Sequence, residues 1–146
     1  MFSNKLTSGK HMICDIYDIK NTNLLNNKYL LSTLLKNICS KYGFEILKEA
    51  DYSFEPIGCT IIFLLSESHI SIHTFPEKKH ISFDIYTCRY YNDNSEYIEI
   101  YNFLINQLNA SIESECKIID RNFKSENLKK EKTTIDYFDI FNPLEM

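Results

Sequence analysis

A short segment of the chain carries most of the side chains that could act as nucleophile, acid, base or metal ligand. Between Ser66 and Glu77 it holds three serines, two histidines and two glutamates, interrupted by apolar residues. Asp84 and Cys88 follow in the next apolar segment and add a carboxylate and a thiol. Such groups are the usual participants in nucleophilic and acid–base catalysis. We therefore look for the function of this chain in residues 66–88.

Three interpretations fit these residue types. In the first, the alternation from His69 to Phe75 describes a half-exposed strand with ordinary hydrogen-bonded histidines. In the second, His69 and His73 point the same way and bind a metal, although no third ligand is evident. In the third, a serine acts as a nucleophile assisted by a histidine. The sequence shows neither a nucleophile elbow nor a complete triad, so ordinary hydrolase chemistry has little support.

The composition describes one modest globular domain. The 146 residues are 44% hydrophobic and 25% charged, which excludes a largely disordered or collagen-like chain. A net charge of −4 argues against binding to nucleic acid through phosphate contacts. No apolar run approaches the ~20 residues that span a bilayer, and residues 1–10 lack the apolar part of a secretion signal. We expect a cytoplasmic protein that binds neither nucleic acid nor membrane.

The cysteines exclude two further classes of site. Five cysteines stand at irregular spacings, without a C-x-x-C pair. Zinc ribbons and disulfide frameworks both need regular pairs. We therefore expect no structural metal, and any chemical role of a thiol has to be argued for that cysteine alone.

Hydrophobic periodicity predicts an α+β fold in the order β-α-β-β-β-β-α-β. The continuous apolar run Thr60–Leu65 predicts a strand that is buried on both faces, and a turn is predicted through residues 51–58. Residues 122–146 are predicted to form a polar, then apolar, C-terminal extension. The predicted strands are 12–17, 44–47, 60–65, 69–75, 81–88 and 116–119, and the predicted helices are 30–42 and 95–108.

Together these motifs resemble a known family. Ser-Glu-Ser-His-Ile-Ser-Ile-His-Thr-Phe-Pro-Glu (66–77), with Asp-Ile-Tyr-Thr-Cys (84–88) downstream, is similar to the processing and active-site motif of prokaryotic-type S-adenosylmethionine decarboxylase proenzymes. The likeness includes Gly9-Lys10-His11 and Pro56-x-Gly58 and covers roughly residues 9–120. It implies an antiparallel sheet with helices packed on one face. In the implied homodimer, two such sheets stack into an α/β/β/α sandwich, and both protomers contribute to each active site.

The resemblance implies that the single domain of residues 1–146 processes itself. The Ser68 hydroxyl attacks the carbonyl of Glu67, and elimination then frees Glu67 as a new C-terminus. The residue left at position 68 loses ammonia and becomes a pyruvoyl group, so that the products are residues 1–67 and 68–146. His73 is implied to assist this processing, and Thr60 occupies a supporting position.

The same resemblance implies the catalytic roles. The pyruvoyl group forms a Schiff base with the substrate amine and accepts electrons as carbon dioxide leaves, without a metal. Cys88 is implied as the proton donor, which suits a thiol because its ordinary pKa of about 8.5 keeps it protonated at neutral pH. Phe54 is implied to stack on adenine, Phe75 to offer a second aromatic face, and Glu77 to bind the ribose hydroxyls. The product, decarboxylated S-adenosylmethionine, is the aminopropyl donor for spermidine biosynthesis.

Four positions depart from the family pattern. Thr60 stands where serine is usual, Phe75 where tryptophan or tyrosine is usual, Tyr52 where histidine is common, and Arg89 where glycine is typical. The methyl group of Thr60 stiffens its side chain, which we expect to slow processing. A glycine position can require a positive φ, and a cation beside Cys88 lowers the pKa of a thiol. Arg89 is therefore expected to strain the backbone and to activate Cys88.

Two alternative functions follow from these departures. A pyruvoyl-dependent arginine or ornithine decarboxylase would use the same chemistry on a different substrate. An uncleaved homologue that regulates an active relative would use none of it. The presence of Phe54 and Glu77 favours S-adenosylmethionine as the substrate.

Overall fold

The computed structural model describes residues 6–66 and 68–124. The α+β class and the order of the six strands and two main helices are confirmed. A short helix, α1, lies between β1 and α2 and was not predicted. The strands are β1 (Thr7–Ile16), β2 (Ile46–Ser53), β3 (Cys59–Leu65), β4 (Ser68–Phe75), β5 (His80–Thr87) and β6 (Glu115–Asn122), and the helices are α1 (Thr22–Leu25), α2 (Lys28–Tyr42) and α3 (Ser95–Leu108).

All six strands join one sheet in the order β2-β3-β4-β5-β1-β6, and each neighbouring pair is antiparallel. Strand β5 therefore lies between β4 and β1. This arrangement brings the segment that follows Ser66 into the middle of the sheet, beside the strand that leads to Cys88. The motif residues thus lie on central strands that are paired on both sides.

One face of the sheet is covered by the helices and forms the core. Alternate residues of the strands are buried there, as the two-residue period of a strand requires. Helix α2 begins at Asn27, whose side chain accepts a hydrogen bond from Leu30 N–H, and ends at Gly43 in the left-handed conformation expected of a C-cap. The fully buried side chains of this core include Met12, Ile16, Leu31, Leu35, Ile61, Phe63, Ile70, Ile72, Phe83, Ile85 and Leu104.

The opposite face of the sheet, which we call the open face, carries exposed apolar side chains. Ile62 and Leu64 are 42% and 50% exposed there, and Ile13 and Ile119 are exposed on strands β1 and β6. In a single copy of the chain, residues 60–65 are therefore not buried on both faces as predicted, because the helices cover one face only.

The edges of the sheet also differ from the predictions. Strand β2 continues to Ser53, through part of the predicted turn. The sequence did not show this extension, because the residues from Leu47 onward are all exposed and give no alternating pattern. Strand β6 ends at Asn122, and residues 125–146 of the predicted extension lie outside the described residues.

Candidate active site

Ser68 and Cys88 meet at one end of the central strands. Ser68 is the first residue of β4, and Cys88 directly follows β5. The backbone N–H of Cys88 donates a hydrogen bond to Ser68 Oγ at 3.3 Å. Glu67, the predicted partner in cleavage, lies outside the described residues. Both Ser68 and Cys88 line a cavity of about 680 Å³, whose other lining residues are Thr7, Ser8, Gly43, Phe44, Glu45, Leu65, Ser66, Arg89 and Phe123.

Gly9 allows β1 to lie against this cavity. Its φ is +140°, and a Cβ atom at this position would lie 2.0 Å from the carbonyl oxygen of Thr87 and 2.9 Å from Cys88 Cα. No other residue type fits such an approach without moving the backbone. The absence of a side chain at Gly9 thus allows β1 to lie close to the backbone of Thr87 and Cys88.

Arg89 contacts the end of helix α2. Its guanidinium donates hydrogen bonds to the carbonyl oxygens of Tyr42, at 2.6 Å, and of Gly43. It also lies over the Phe44 ring, 4.4 Å from the centroid. These contacts satisfy carbonyl groups at the end of α2 and fix a wall of the cavity.

The backbone at Arg89 is also unstrained. Within residues 6–66 and 68–124, the non-glycine residues with positive φ are Asp18, Lys79 and Asn109. The expectation of glycine-like backbone strain at Arg89 is therefore wrong.

A second group of predicted residues lies at the other end of β3 and β4. Thr60 Oγ1 is 2.9 Å from His73 Nδ1, and the two residues are paired across the strands. Phe75 ends β4, and Glu77 is exposed in the 3₁₀ turn that follows. Phe54 follows β2 beside this end and is half exposed, with its ring 5.0 Å from that of Tyr52. These five predicted residues therefore share one end of the sheet.

Within one chain, the two groups are far apart. His73 stands five positions after Ser68 on a continuous strand. At about 3.3 Å per residue, the two residues are separated by roughly 16 Å. A side chain cannot span that distance, so the His73 of a chain cannot act on its own Ser68 in this conformation.

His69 belongs to a third group, which the sequence did not indicate. Its Nε2 lies 2.9 Å from Asp84 Oδ2, and His11 Nε2 lies 2.6 Å from the same oxygen. Ser71 donates a hydrogen bond to Asp84 Oδ1. Burial would raise the pKa of Asp84, but the hydrogen bonds from Ser71, His11 and His69 outweigh it and lower the pKa below its ordinary value.

The metal interpretation based on His69 and His73 is not supported by these contacts, because the two imidazoles have different partners. The three potential ligands that do converge, within 4.8 Å of one another, are His11, His69 and Asp84. In the sequence, His69 and Asp84 could be recognised only as polar residues on two alternating strands, without their contact. His11 could be found only by knowing that β1 lies beside β5.

The other cysteines have no part in the cavity. Burial raises the pKa of Cys39 to about 11 and also raises that of Cys59. Cys14 faces Cys116 across β1 and β6, and a hydrogen bond with Cys116, together with burial, raises the pKa of Cys14. The five cysteines, all within the described part of the chain, form no disulfide. Cys88 is thus the thiol that the fold places beside Ser68.

Among residues 6–66 and 68–124, no helix is both long and apolar enough to cross a membrane.

Comparison with known proteins identifies the family. The family model described as S-adenosylmethionine decarboxylase matches residues 10–122. An S-adenosylmethionine decarboxylase proenzyme from Hydrogenobaculum sp. (strain Y04AAS1) is 35% identical over 115 residues, covering 79% of this chain and 82% of that protein. An S-adenosylmethionine decarboxylase proenzyme 2 from Bacillus cereus is 42% identical over 82 residues, covering 56% of this chain and 66% of that relative.

A solved structure has the same fold. The adenosylmethionine decarboxylase from Aquifex aeolicus VF5 superimposes with a TM-score of 0.71 at 27% sequence identity, covering 86% of this chain and 99% of that one. The family match includes both Ser68 with Cys88 and Thr60 with His73. The chain therefore belongs to the S-adenosylmethionine decarboxylase family, a family of carboxy-lyases that are made as proenzymes.

Proposed function

We propose that this protein cleaves itself between Glu67 and Ser68 and then decarboxylates S-adenosylmethionine. The observation that carries the proposal is the meeting of Ser68 and Cys88 in one cavity. The first residue offers the β-hydroxyl that self-cleavage requires, and the second offers a proton donor. The family match supports this reaction over arginine or ornithine decarboxylation and over an uncleaved regulatory role.

Self-cleavage needs an atom that is first a nucleophile and then a leaving group. The Ser68 Oγ attacks the carbonyl carbon of Glu67, and the peptide bond is replaced by an ester. Removal of the proton from Cα of residue 68 then expels the Glu67 carboxylate and leaves a carbon–carbon double bond. Addition of water and loss of ammonia convert residue 68 into a pyruvoyl group. When present, this group supplies the electron sink for decarboxylation.

The position of Cys88 supports its proposed role as the proton donor. The backbone N–H of Cys88 donates a hydrogen bond to Ser68 Oγ, and both residues line the same cavity. A thiol with an ordinary pKa is mostly protonated at neutral pH and can protonate the carbon that has lost carbon dioxide.

The distance between the two groups supports a homodimer with shared sites. His73 and Thr60 lie roughly 16 Å from Ser68 in the same chain. If all three residues take part in self-cleavage, they must come close together. A second copy could bring its Thr60 and His73 to the first copy's Ser68. The exposed side chains of Ile13, Ile62, Leu64 and Ile119 offer an apolar face for two sheets to stack.

The residues that we propose to bind the substrate lie at the same end of the sheet as His73, away from Ser68. Phe54 and Phe75 present exposed aromatic rings, and Glu77 presents an exposed carboxylate, all at the histidine-containing end of the strands. An aromatic ring can stack on adenine, and a carboxylate can accept hydrogen bonds from two ribose hydroxyls. In the shared site, one copy supplies the reacting groups and the other holds the nucleoside. No metal enters this chemistry.

Mass spectrometry of the purified protein tests the cleavage. We expect two fragments, residues 1–67 and a second fragment that begins with a pyruvoyl group at position 68. One intact chain, stable for days, would instead support the regulatory alternative. Release of carbon dioxide from S-adenosylmethionine, arginine and ornithine then identifies the substrate, and exclusive turnover of an amino acid would contradict the proposal.

A mixing experiment tests the shared site. Ser68→Ala and His73→Ala chains are each expected to remain uncleaved when expressed alone. Expressed together, they form mixed dimers in which the Ser68→Ala chain supplies His73. We then expect cleavage of the His73→Ala chain only. If the mixed dimer forms and neither chain is cleaved, His73 does not act across the dimer.

The free thiols are consistent with a cytoplasmic location, where the product would supply aminopropyl groups for spermidine synthesis.

A further inference from the structure

The side chain of His69 is held by a carboxylate that also binds a second histidine. Asp84 Oδ2 lies 2.9 Å from His69 Nε2 and 2.6 Å from His11 Nε2, and Ser71 donates to Asp84 Oδ1. The three charged or ionisable residues come from β4, β5 and β1, which are adjacent in the sheet. We call His11, His69 and Asp84 the histidine clamp.

The strand register explains how the clamp forms. Tyr86 of β5 is paired with His69 on one side and with His11 on the other. Asp84 precedes Tyr86 by two residues and therefore lies on the same face of the sheet. Both imidazoles reach diagonally along the sheet to this one carboxylate, and diagonal neighbours are within reach of long side chains. The clamp thus ties together three strands on the open face.

The clamp adjoins the residue that reacts. The inference rests on the proposed function, in which residue 68 becomes the pyruvoyl group. Before cleavage, residue 68 is linked to the chain on both sides. After cleavage, its only covalent link is the amide bond to the nitrogen of His69. The new chain end is otherwise held by its strand pairing, at a position where strands commonly fray.

We propose that the histidine clamp positions the pyruvoyl group after cleavage. By fixing His69 to β5 and β1, it keeps the carbonyl group of residue 68 in the cavity next to Cys88. His11, His69 and Asp84 are positioning residues in this account, because they act through the backbone of His69 and not on the substrate. A misplacement of about 1 Å at a reacting centre can lower a rate about a hundredfold.

Direct hydrogen bonds explain the clamp better than a bound metal does. The nitrogen–oxygen distances of 2.6 Å and 2.9 Å are those of hydrogen bonds. Ligand atoms bound tetrahedrally to zinc at 2.0–2.2 Å lie about 3.3–3.6 Å apart. In addition, Arg121 Nη1 lies 3.5 Å from His11 Nδ1. A donor on that side leaves the proton on Nε2, where it points toward Asp84.

Steady-state kinetics of cleaved variants tests the proposal. We expect His69→Ala and Asp84→Asn to self-cleave and to lose about tenfold to a hundredfold in kcat, with KM changed less than about threefold because the substrate contacts lie elsewhere. His69→Gln keeps a side-chain N–H that can reach Asp84, and we expect it to recover most of the activity lost in His69→Ala. Asp18→Asn, an exposed change on the loop after β1, serves as the matched control.

A variant that self-cleaves has an intact sheet, and circular dichroism reports the folding of a variant that stays uncleaved. If His69→Ala fails to fold, the nearly isosteric Asp84→Asn carries the test. Phenylhydrazine, which reacts with ketones, measures the pyruvoyl content, so that kcat is expressed per formed group. A kcat equal to that of the wild type in His69→Ala or in Asp84→Asn would overturn the proposal, as would a His69→Gln variant no better than His69→Ala.

Other outcomes would contradict either the clamp or the proposed reaction, and they can be told apart. A folded His69→Ala chain that does not cleave would place the role of His69 in processing instead. Zinc retained by the wild type, together with loss of activity on chelation, would identify a metal site. A wild-type chain that stays uncleaved contradicts the proposed function itself, whereas a cleaved and active wild type with an equally active His69→Ala variant contradicts only the clamp.

Discussion

Thr60 Oγ1 lies 2.9 Å from Nδ1 of His73, across the pairing of β3 with β4. The hydroxyl group thereby fixes the orientation of the imidazole ring, which leaves Nε2 directed away from Thr60. This pair stands at the opposite end of β4 from Ser68, so the imidazole that it orients cannot reach the Ser68 of its own chain.

The Thr60 hydroxyl is expected to be necessary for efficient self-cleavage. Thr60→Val keeps the shape of the side chain and removes the hydrogen bond to His73, so we expect cleavage to slow by about a hundredfold or more. Thr60→Ser keeps the hydroxyl without the stiffening methyl group and is expected to cleave at least as fast as the wild type. The rate is measured as the appearance of the two fragments on a denaturing gel. Thr33→Val, an exposed change on α2, is the control, and normal cleavage of Thr60→Val would exclude the role.

Cys88 is expected to matter for decarboxylation and not for cleavage. Cys88→Ala removes the proposed proton donor but retains the backbone N–H that binds Ser68, so the chain should still cleave. We expect carbon dioxide release to fall by about a hundredfold or more. Cys116→Ala removes a thiol outside the cavity and should leave the rate unchanged. A Cys88→Ala enzyme with full activity would show that another group supplies the proton.

Gly9 is expected to tolerate no side chain. In Gly9→Ala the new Cβ would collide with the Thr87 carbonyl oxygen, and the backbone would also be strained at its positive φ. We expect a loss of about 2–4 kcal/mol in the free energy of unfolding, measured by urea denaturation in the uncleavable Ser68→Ala background. Gly43→Ala is a useful contrast, because the nearest atom to its added Cβ is the end of the Arg89 side chain at 3.8 Å. Equal losses in the two variants would show that close approach at Gly9 has no special cost.

Arg89 is expected to stabilise the end of α2. Arg89→Met keeps the aliphatic stem and removes the hydrogen bonds to the Tyr42 and Gly43 carbonyl oxygens. We expect a loss of about 1–3 kcal/mol in the free energy of unfolding, again measured in the Ser68→Ala background. Lys41→Met, which removes an exposed cation from the same helix end, should cost less than about 0.5 kcal/mol. If both substitutions have equal effects, the contacts of the guanidinium contribute nothing beyond its charge.

The lowered pKa of Asp84 predicts a specific dependence of stability on pH. Because the folded pKa lies below the unfolded value of about 3.9, the stabilisation from the charged carboxylate is complete above the unfolded pKa. It is lost as the pH falls through the folded pKa. In the Ser68→Ala background, the difference in unfolding free energy between Asp84 and Asp84→Asn should therefore shrink as the pH falls below about pH 4. A difference that grows on acidification would contradict the direction of the shift.

The sequence predicted the centre of the sheet well and its edges poorly. In the sequences of strands β4 and β5, polar residues alternate with apolar ones, because every second side chain points into the core. Strand β2 lies at an edge, and from Leu47 to Ser53 it is exposed on both faces. Nothing in such a strand selects apolar residues at every second position. Its length comes from backbone pairing with β3, which the pattern of side chains does not record.

The candidate site shows a similar division. The resemblance to a known family implied roles for Ser68 and His73, but their separation along β4 follows only from the strand geometry. The contact of Arg89 with the end of α2 joins residues 46 positions apart, and no local pattern predicts it. The partnership of His11 with Asp84 depends on the place of β1 beside β5, which is set by the topology of the whole sheet.

The strand order has a consequence for the proposed cleavage. A cut after residue 67 gives one fragment that contains β1, β2 and β3 and another that contains β4, β5 and β6. In the order β2-β3-β4-β5-β1-β6, three of the five pairings join strands of different fragments. Strand β1 is inserted between two strands of the second fragment and cannot slide out without breaking hydrogen bonds on both its sides. The two products are therefore interleaved, and they can come apart only when the sheet itself unfolds.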